Sequence, residues 1–168
     1  MESIFKTDYE HIEFRDKLND LIEYQQDDNL SNHLQNIFSR RLNQTSGKIT
    51  NNDFVIWRYS YIWSDMFYSV INGRIIKNEN SCFILIKSKL NIFGIGLIVM
   101  ISILLGYVIL TDIVIQNDNS FRFIIWRILI GLILFLLMLI VPIFAYFDSK
   151  TRIMKILTEN LKLTRKAQ

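Results

Sequence analysis

The chain has 168 residues, a formal net charge of +3 and a hydrophobic fraction of 51%. This length accommodates one small folded domain together with membrane segments, and little else. The single cysteine, Cys82, excludes an intramolecular disulfide, so the folded part need not face an oxidising compartment. The acidic stretch after Met1 lacks the basic start and the apolar core of a signal peptide.

Helical periodicity characterises the segment from Thr7 to Leu42. The combination of Thr7 with Glu10 is typical of a capping box, in which two side chains satisfy free amide groups at a helix start. A first apolar face comprises Phe14, Leu18, Leu21 and Ile22. A second face, after Asn29, comprises Leu30, Leu34, Ile37, Phe38 and Leu42. We therefore predict two amphipathic helices whose apolar faces pack into a core, in preference to a groove for a partner.

From Gly47 onwards the hydrophobic period changes to two, which is typical of half-buried strands. Turn-forming residues separate four such segments, so we predict a four-stranded antiparallel meander. The strands are expected at Gly47 to Thr50, Phe54 to Trp63, Phe67 to Ile76 and Ser81 to Lys87. The second strand carries the aromatic residues Trp57, Tyr59, Tyr61 and Trp63. We expect these rings in the core, and an aromatic belt at a membrane interface is the alternative.

Two long apolar runs follow the predicted sheet. The first, Ile92 to Leu110, holds 19 residues without a charge and would be about 28 Å long as a helix, which matches a bilayer's hydrocarbon core. The second, Ile128 to Phe147, is interrupted only by Pro142. The polar connector Thr111 to Arg122 is short, so the sequence predicts an antiparallel transmembrane hairpin. A buried hairpin in a soluble protein is the alternative, although so short a chain has little left to cover it.

Basic residues flank these runs unevenly. Lys87 and Lys89 precede the first run, whereas the connector side has only Arg122 and Arg127. Three basic residues follow the second run, namely Lys150, Arg152 and Lys155. The positive-inside rule therefore predicts that both termini are cytoplasmic. The residues expected at the membrane interface are Arg122, Trp126, Arg127, Lys150, Arg152 and Lys155.

Arg127 lies within two turns of the connector, next to the second apolar run. An arginine in the middle of a bilayer costs roughly 3 kcal/mol or more. We therefore expect its guanidinium to reach the outer interface beside Trp126 and to pair with Asp112. A role in ion conduction is the alternative, although one charge near an interface does not make an ion pathway.

The sequence thus divides into three segments. We expect a cytoplasmic α+β domain over 1–89, a two-helix transmembrane hairpin over 90–147 and a basic cytoplasmic C-terminal helix over 148–168. The predicted fold class is accordingly an α+β membrane protein. A basic tail beside a membrane segment favours anionic lipid over nucleic acid as a partner.

Residues with catalytic or ligating chemistry are few. His11 and His33 have no second histidine or cysteine at ligand spacing, so no metal site is predicted. Cys82 lies in an apolar strand and is expected to be a buried, inert thiol. The six glycines form no phosphate-binding, dinucleotide-binding or nucleophile-elbow motif. We predict no cofactor, and an enzyme is the less favoured interpretation.

Several short motifs follow a pattern seen elsewhere. They are S-G-K-I-T-N-N-D-F-V-I-W-R from Ser46, I-N-G-R-I from Ile71 and S-C-F-I-L-I from Ser81, ahead of two apolar runs and a basic helix. From Gly47 onwards the chain resembles a bacterial family of uncharacterised small membrane proteins, with a β-rich cytoplasmic domain before a two-helix transmembrane hairpin. Relatives often carry R-N-S-F where this chain has Ser64-Asp65-Met66-Phe67. The resemblance implies an architecture and a bacterial inner membrane, and no established activity.

The leading functional hypothesis is a membrane-anchored, non-enzymatic protein that presents its cytoplasmic domain to a protein partner or to the lipid surface. Tethering would raise the effective concentration of this domain for a membrane-bound partner. One alternative, based on small size and hairpin topology, is a membrane immunity or superinfection-exclusion protein. Another is an enzyme acting on lipid or envelope precursors, for which Asp65, Arg58 and Arg74 are the residues to test. The expected partners are the lipid bilayer and a membrane protein, and the oligomeric state is left open.

Overall fold

The computed structural model describes residues 2–39, 44–58, 66–78, 81–115 and 121–165. Within these ranges the chain forms four helices and one seven-stranded sheet. In chain order the elements are β1 (Glu2–Thr7), α1 (His11–Asp20), β2 (Tyr24–Gln25), α2 (Leu30–Phe38), β3 (Thr45–Thr50), β4 (Asp53–Arg58), β5 (Ser69–Asn78), β6 (Ser81–Leu90), α3 (Ile92–Ile115), α4 (Phe121–Leu161) and β7 (Thr164–Arg165).

The sheet has the strand order β2-β3-β4-β5-β6-β1-β7. Among its described pairings, β2 with β3 is parallel and the others are antiparallel. Ile56 on β4 pairs with Ile71 on β5, and Ile75 on β5 pairs with Ile84 on β6. Because alternate residues of a strand point to opposite faces, these pairings place a patch of isoleucines on one face of the sheet.

Helix α1 and the C-terminal part of α4 cover this isoleucine face. Phe14 and Leu18 of α1 are fully buried, and so is Leu161 of α4. Leu157 and Ile153 precede Leu161 by one and two turns, the spacing that puts residues on one side of a helix. The end of α4 is therefore part of the main hydrophobic core.

Helix α2 covers part of the opposite face. Trp57, Tyr68 and Val70 form a second buried cluster there. The helix begins after Asn29, whose side-chain oxygen accepts a hydrogen bond from the amide of Asn32 at 2.8 Å. Helix α2 also contacts α3, so it lies near the end of the sheet from which α3 departs.

Asn91 fixes the start of α3. Its side-chain oxygen accepts a hydrogen bond from the amide of Gly94 at 2.6 Å. Its side-chain nitrogen donates to the carbonyl oxygens of Met66 and Tyr68 at 3.0 and 3.1 Å. A β-carbon on Gly94 would lie 2.7 Å from the Met66 carbonyl oxygen. The first turn of α3 therefore packs tightly against the sheet domain.

The predicted fold class, a four-stranded meander followed by a transmembrane helix hairpin, is wrong. The sheet is mixed and has seven strands, because β1, β2 and β7 join it from outside the predicted strand region. Among the described residues, one helix, Ile128–Leu161, has the length and composition needed to cross a membrane. The described apolar part of α3, Ile92–Val108, is shorter. The first turn of α3 also packs on the sheet domain, which the apolar run in the sequence did not indicate.

Two local predictions in the N-terminal part are also wrong. Thr7 ends β1 instead of capping a helix, and its hydroxyl donates a hydrogen bond to the carbonyl of Leu161 at 2.8 Å. Helix α1 starts after Glu10, whose side chain makes no capping hydrogen bond. On α2 the apolar residues Leu30 and Phe38 are exposed, although they were predicted to face a core.

Several predicted boundaries fall inside elements or outside the described residues. The predicted break between hairpin and C-terminal helix lies within α4, which runs without interruption from Phe121 to Leu161. Trp57 is fully buried, so the core assignment is confirmed for that residue. Its predicted aromatic neighbours at positions 59, 61 and 63 lie outside the described residues, as do positions 116–120 of the connector.

Candidate functional site

Helix α4 has an apolar half and a half that packs on the sheet. Large exposed apolar side chains occur throughout the first half and include Leu132, Leu137, Ile143, Phe144 and Phe147. Asp148 then pairs with Arg152 at 3.0 Å, and Ser149 is buried. So much exposed apolar surface on a helix is characteristic of contact with lipid or another apolar environment. The residues Asp148 and Ser149 mark the boundary between the two halves.

A groove of about 800 Å³ lies between the second half of α4 and the outer part of the sheet. Strands β1, β6 and β7 form one wall, and α4 forms the other. Its apolar lining consists of Phe5 on β1, Ile86 on β6, and Phe147 and Met154 on α4. The groove can therefore accept an apolar chain along its length.

Charged side chains line the same groove. They are Lys150, Lys155 and Glu159 of α4 and Arg165 of β7. Lys155 and Glu159 approach each other to 3.8 Å, and both are exposed to solvent. None of the ion pairs among the described residues involves Lys150 or Arg165. With three cations and one anion, the groove lining is complementary to an anionic group.

One end of the groove reaches the apolar half of α4. Phe147, the last residue of the apolar run, lies at this end and is 56% exposed. The hydroxyls of Ser88 on β6 and Tyr146 on α4 form a hydrogen bond of 2.7 Å, which joins the two walls there. An amphiphile with an apolar chain beside Phe147 would place its head near Lys150. The geometry is therefore suited to a lipid with an anionic headgroup.

A second, smaller cavity of about 330 Å³ lies beside the same part of α4. Its basic lining residues are Arg58 at the end of β4 and Arg152 and Lys155 of α4. Lys155 lines both cavities. The domain half of α4 therefore presents cations along its length, close to the boundary with the apolar half.

A buried polar cluster lies beneath α2. His33 is fully buried, with Nε2 at 2.7 Å from a carboxylate oxygen of Asp28 and Nδ1 hydrogen-bonded to the hydroxyl of Tyr68. Lys89 pairs with the other carboxylate oxygen of Asp28 at 2.6 Å. The hydrogen bond from His33 lowers the pKa of Asp28 below its ordinary value of 3.8, helped by Lys89 and opposed by partial burial.

An aspartate, a histidine and a tyrosine in hydrogen-bonding sequence have the composition of a proton relay. Both His33 and Tyr68 are nevertheless completely inaccessible to solvent. Because a reacting group must touch its substrate, this cluster is closed to catalysis in the described conformation. Its evident effect is to hold α2 on the sheet by satisfying buried polar groups.

The residues predicted at the membrane interface divide into two groups at opposite ends of α4. Lys150 and Lys155 line the groove, and Arg152 lines the second cavity. Trp126 is 63% exposed near the other end, about 36 Å from residue 150 at ~1.5 Å per residue. The side chains of Arg122 and Arg127, and of Asp112, lie outside the described part of the structure.

The residues named for a hypothetical enzyme are not brought together. Arg58 lines the second cavity, whereas Arg74 forms an ion pair with Asp53 at 2.6 Å on the exposed surface. The hydrogen bond with Asp53 raises the pKa of Arg74, so this guanidinium stays charged. Asp65 lies outside the described residues.

The other reactive side chains occupy separate places. Cys82 is buried, as predicted, and burial raises the pKa of its thiol. His11 forms a hydrogen bond with the side chain of Asn52 at 3.1 Å. Within the described ranges no three histidine, cysteine or acidic side chains are grouped so as to hold a metal ion.

Sequence reasoning missed one wall of the groove. Phe5 and Arg165 pair across β1 and β7, and neither strand was predicted. In β1 the two apolar residues Ile4 and Phe5 are adjacent, so this strand lacks the apolar–polar alternation that would have indicated it. Strand β7 has only two residues, so its sequence carries no period to detect.

No family model, curated protein or solved structure matches this chain. The resemblance to a bacterial membrane protein family therefore stays a prediction. Function is accordingly inferred from the geometry and chemistry of the residues described above.

Proposed function

We propose that this chain is a membrane-anchored, non-enzymatic protein whose sheet domain lies against the inner face of a bacterial membrane and binds its anionic lipid surface. The apolar half of α4 anchors the protein in lipid. The groove between α4 and the sheet contacts the headgroups of anionic phospholipids.

The continuity of α4 is the observation that carries this proposal. One uninterrupted helix supplies the exposed apolar side chains, the groove lysines and the core residues Ile153, Leu157 and Leu161. No linker separates the anchor from the domain. Lys150 follows Phe147 by three residues, which is about 4.5 Å along the helix axis. When the apolar half of α4 is embedded in lipid, the side chain of Lys150 therefore reaches the headgroup layer.

Electrostatics supports anionic lipid as the ligand. A basic residue near an anionic membrane surface contributes about 1 kcal/mol. Three cations and one anion line the groove, so the net contribution is roughly 2 kcal/mol, or about a 30-fold preference over neutral lipid. Salt would reduce this preference, because the lysines are solvent-accessible.

The side of the membrane is assigned from the position of the basic residues. Lys150, Arg152 and Lys155 directly follow the apolar half of α4, as cytoplasmic flanks do. Phe5 near the N-terminus pairs with Arg165 near the C-terminus, so these two parts of the chain lie in the same domain. We therefore place the sheet domain in the cytoplasm.

Native mass spectrometry of the full chain in mild detergent tests the lipid preference. Phosphatidylglycerol and phosphatidylcholine are added at equal concentration, and the bound lipids are counted. We expect phosphatidylglycerol to be retained preferentially, and we expect the combined Lys150→Glu and Lys155→Glu change to abolish the preference. The combined Lys48→Glu and Lys77→Glu change has the same effect on net charge, lies outside the groove and should leave the preference intact.

Equal retention of the two lipids by the unmodified chain would contradict the proposal. So would an equal loss in the groove variant and in the control, because that result would reflect net charge alone. Binding of a protein partner, immunity or exclusion, and an enzymatic role stay predictions from the sequence, since no described cluster favours any one of them.

A further inference from the structure

Helix α2 buries two polar residues and leaves several apolar residues exposed. Its inward side carries the polar residues His33 and Asn36, which are completely buried, and Ile37, which packs against the Trp57 cluster. Its outward side carries Leu30, which is 47% exposed, and Phe38, which is 80% exposed. Leu34 lies between them at helical spacing and is half-buried. These three residues, Leu30, Leu34 and Phe38, are called the α2 stripe below.

Specific hydrogen bonds fix this orientation. His33 bonds to Asp28 and Tyr68 on its two ring nitrogens. The side-chain nitrogen of Asn36 donates to the side-chain oxygen of Gln26 at 2.9 Å. Rotating α2 to bury the stripe would expose these groups and break their hydrogen bonds, which is costly for buried polar atoms. The outward position of the stripe is therefore built into the fold.

A chain of neighbouring contacts links α2 to the point where the apolar half of α4 ends. Tyr68, the hydroxyl partner of His33, immediately precedes Ser69. The amide of Ser69 donates a hydrogen bond to the hydroxyl of Ser149, which lies at the boundary within α4. Helix α2 also contacts the apolar helix α3. An embedded α4 would therefore bring the α2 stripe to the surface of the bilayer.

We propose that the α2 stripe inserts into the interfacial region of the lipid bilayer, as a second contact beside the groove. This inference rests on the proposed membrane anchoring by α4. We name lipid as the partner of the stripe, because the contacts above link α2 to the end of the lipid-facing part of α4. Helix α2 also contains no Asp, Glu, Lys or Arg, so no charge on the helix itself opposes contact with the interfacial region.

Depth measurement in reconstituted vesicles tests this proposal. The full chain carrying Cys82→Ser receives one new cysteine, Phe38→Cys, which is labelled with an environment-sensitive fluorophore. The vesicles contain phosphatidylcholine and phosphatidylglycerol, with a nitroxide placed either near the headgroup or deep in the acyl chain. Ile12→Cys is the matched control, because Ile12 is an exposed apolar residue on α1, which covers the other face of the sheet. Leu137→Cys reports on the apolar half of α4.

We expect the label at position 38 to shift to shorter wavelength and to lose intensity with the shallow nitroxide. The label at position 12 should keep the emission of a water-exposed dye. Emission at position 38 that matches position 12, while position 137 is quenched by the deep nitroxide, would overturn the inference and leave the anchoring intact. A blue-shifted but unquenched label at position 38 would also overturn it, because protein would then cover the stripe. An unquenched label at position 137 would refute the anchoring itself and with it this inference.

Discussion

The backbone amide of Ser69 donates a hydrogen bond to the hydroxyl oxygen of Ser149 at 3.1 Å, in the buried interior. This bond joins the first residue of β5 to the point on α4 where the apolar half ends. Ser69 and Ser149 are 80 positions apart in the sequence. The bond thereby fixes the position of the sheet along the axis of α4. The lipid contacts proposed above depend on this position.

Replacing Ser149 should weaken this junction. Ser149→Ala leaves the buried amide of Ser69 without its acceptor, so we expect a loss of about 1–3 kcal/mol in the free energy of unfolding. Chemical unfolding of the full chain in detergent, followed by circular dichroism, measures it. Thr151→Ala is the control on the same helix, because the exposed Thr151 hydroxyl bonds only the Phe147 carbonyl of its own helix. Equal losses in both variants would contradict the role assigned to Ser149.

Gly73 is required by the ring of Phe54. The two residues pair across β4 and β5, and a β-carbon on Gly73 would collide with this ring, which is 2% exposed and cannot swing away. We expect Gly73→Ala to lower the free energy of unfolding by about 1–3 kcal/mol through overpacking. Gly96→Ala has open space around it and should be neutral or slightly stabilising.

The same denaturation experiment tests the cause of the Gly73 effect. Adding Phe54→Leu to Gly73→Ala should give a smaller total loss than the sum of the two single changes, since the collision is removed. Strictly additive losses would show that the ring is not the obstacle.

Acid should destabilise the fold partly through Asp28. The pKa of Asp28 is lower in the folded protein than its ordinary value of 3.8, because of the hydrogen bond from His33. Its stabilising contribution is therefore complete above pH 3.8 and is lost as the pH falls through the lower folded pKa. Urea unfolding at a series of pH values measures this effect. Below pH 3.8 we expect the free energy of unfolding to fall less steeply for Asp28→Asn than for the unmodified chain.

The adjacent residue provides the control for this substitution. Asp27 pairs with Lys48 on the surface, where both side chains are at least half exposed. Because this ion pair is exposed to solvent, we expect Asp27→Asn to change the free energy of unfolding by less than about 1 kcal/mol. If the free energy of unfolding changed with pH in the same way for Asp28→Asn and for the unmodified chain, the buried cluster would not contribute to acid stability.

The thiol of Cys82 should react only when the protein opens. Cys82 is 3% exposed, and burial raises the pKa of its thiol, so reactive thiolate is scarce. For a stability of at least 5 kcal/mol, labelling through global unfolding is slowed about 10³-fold or more. In the chain carrying Ile12→Cys, a chromogenic disulfide reagent should titrate one thiol rapidly and the second only in denaturant. Rapid titration of both thiols would contradict the buried position of Cys82.

The elements that could be predicted from sequence are those whose signal is local. Phe14 and Leu18 lie on the buried face that helical spacing indicated for α1, and this prediction is confirmed. Lys150 and Lys155 both line the groove, and their predicted position at a membrane interface stays a prediction. Local patterns of this kind survive because the same residues form the element and its contacts.

The features that could not be predicted depend on distant partners. Strand β7 exists because Phe5 and Lys6 of β1 offer it an edge, and nothing in its own two residues encodes that pairing. The apolar stripe of α2 was assigned to the core because helical periodicity shows which residues share a face, and not which face turns inward. The buried partners of His33 decided the orientation, and Tyr68 is 35 positions away.

Alkaline extraction of membranes is the most direct test of the central claim that the apolar half of α4 anchors this domain in lipid. Membranes from bacterial cells that express the full chain are washed with sodium carbonate at high pH, which releases peripheral proteins, and are then floated on a density gradient. The anchoring predicts that the chain stays with the floated membranes and is released only by detergent. Recovery of the folded chain in the carbonate supernatant, without detergent, would contradict it.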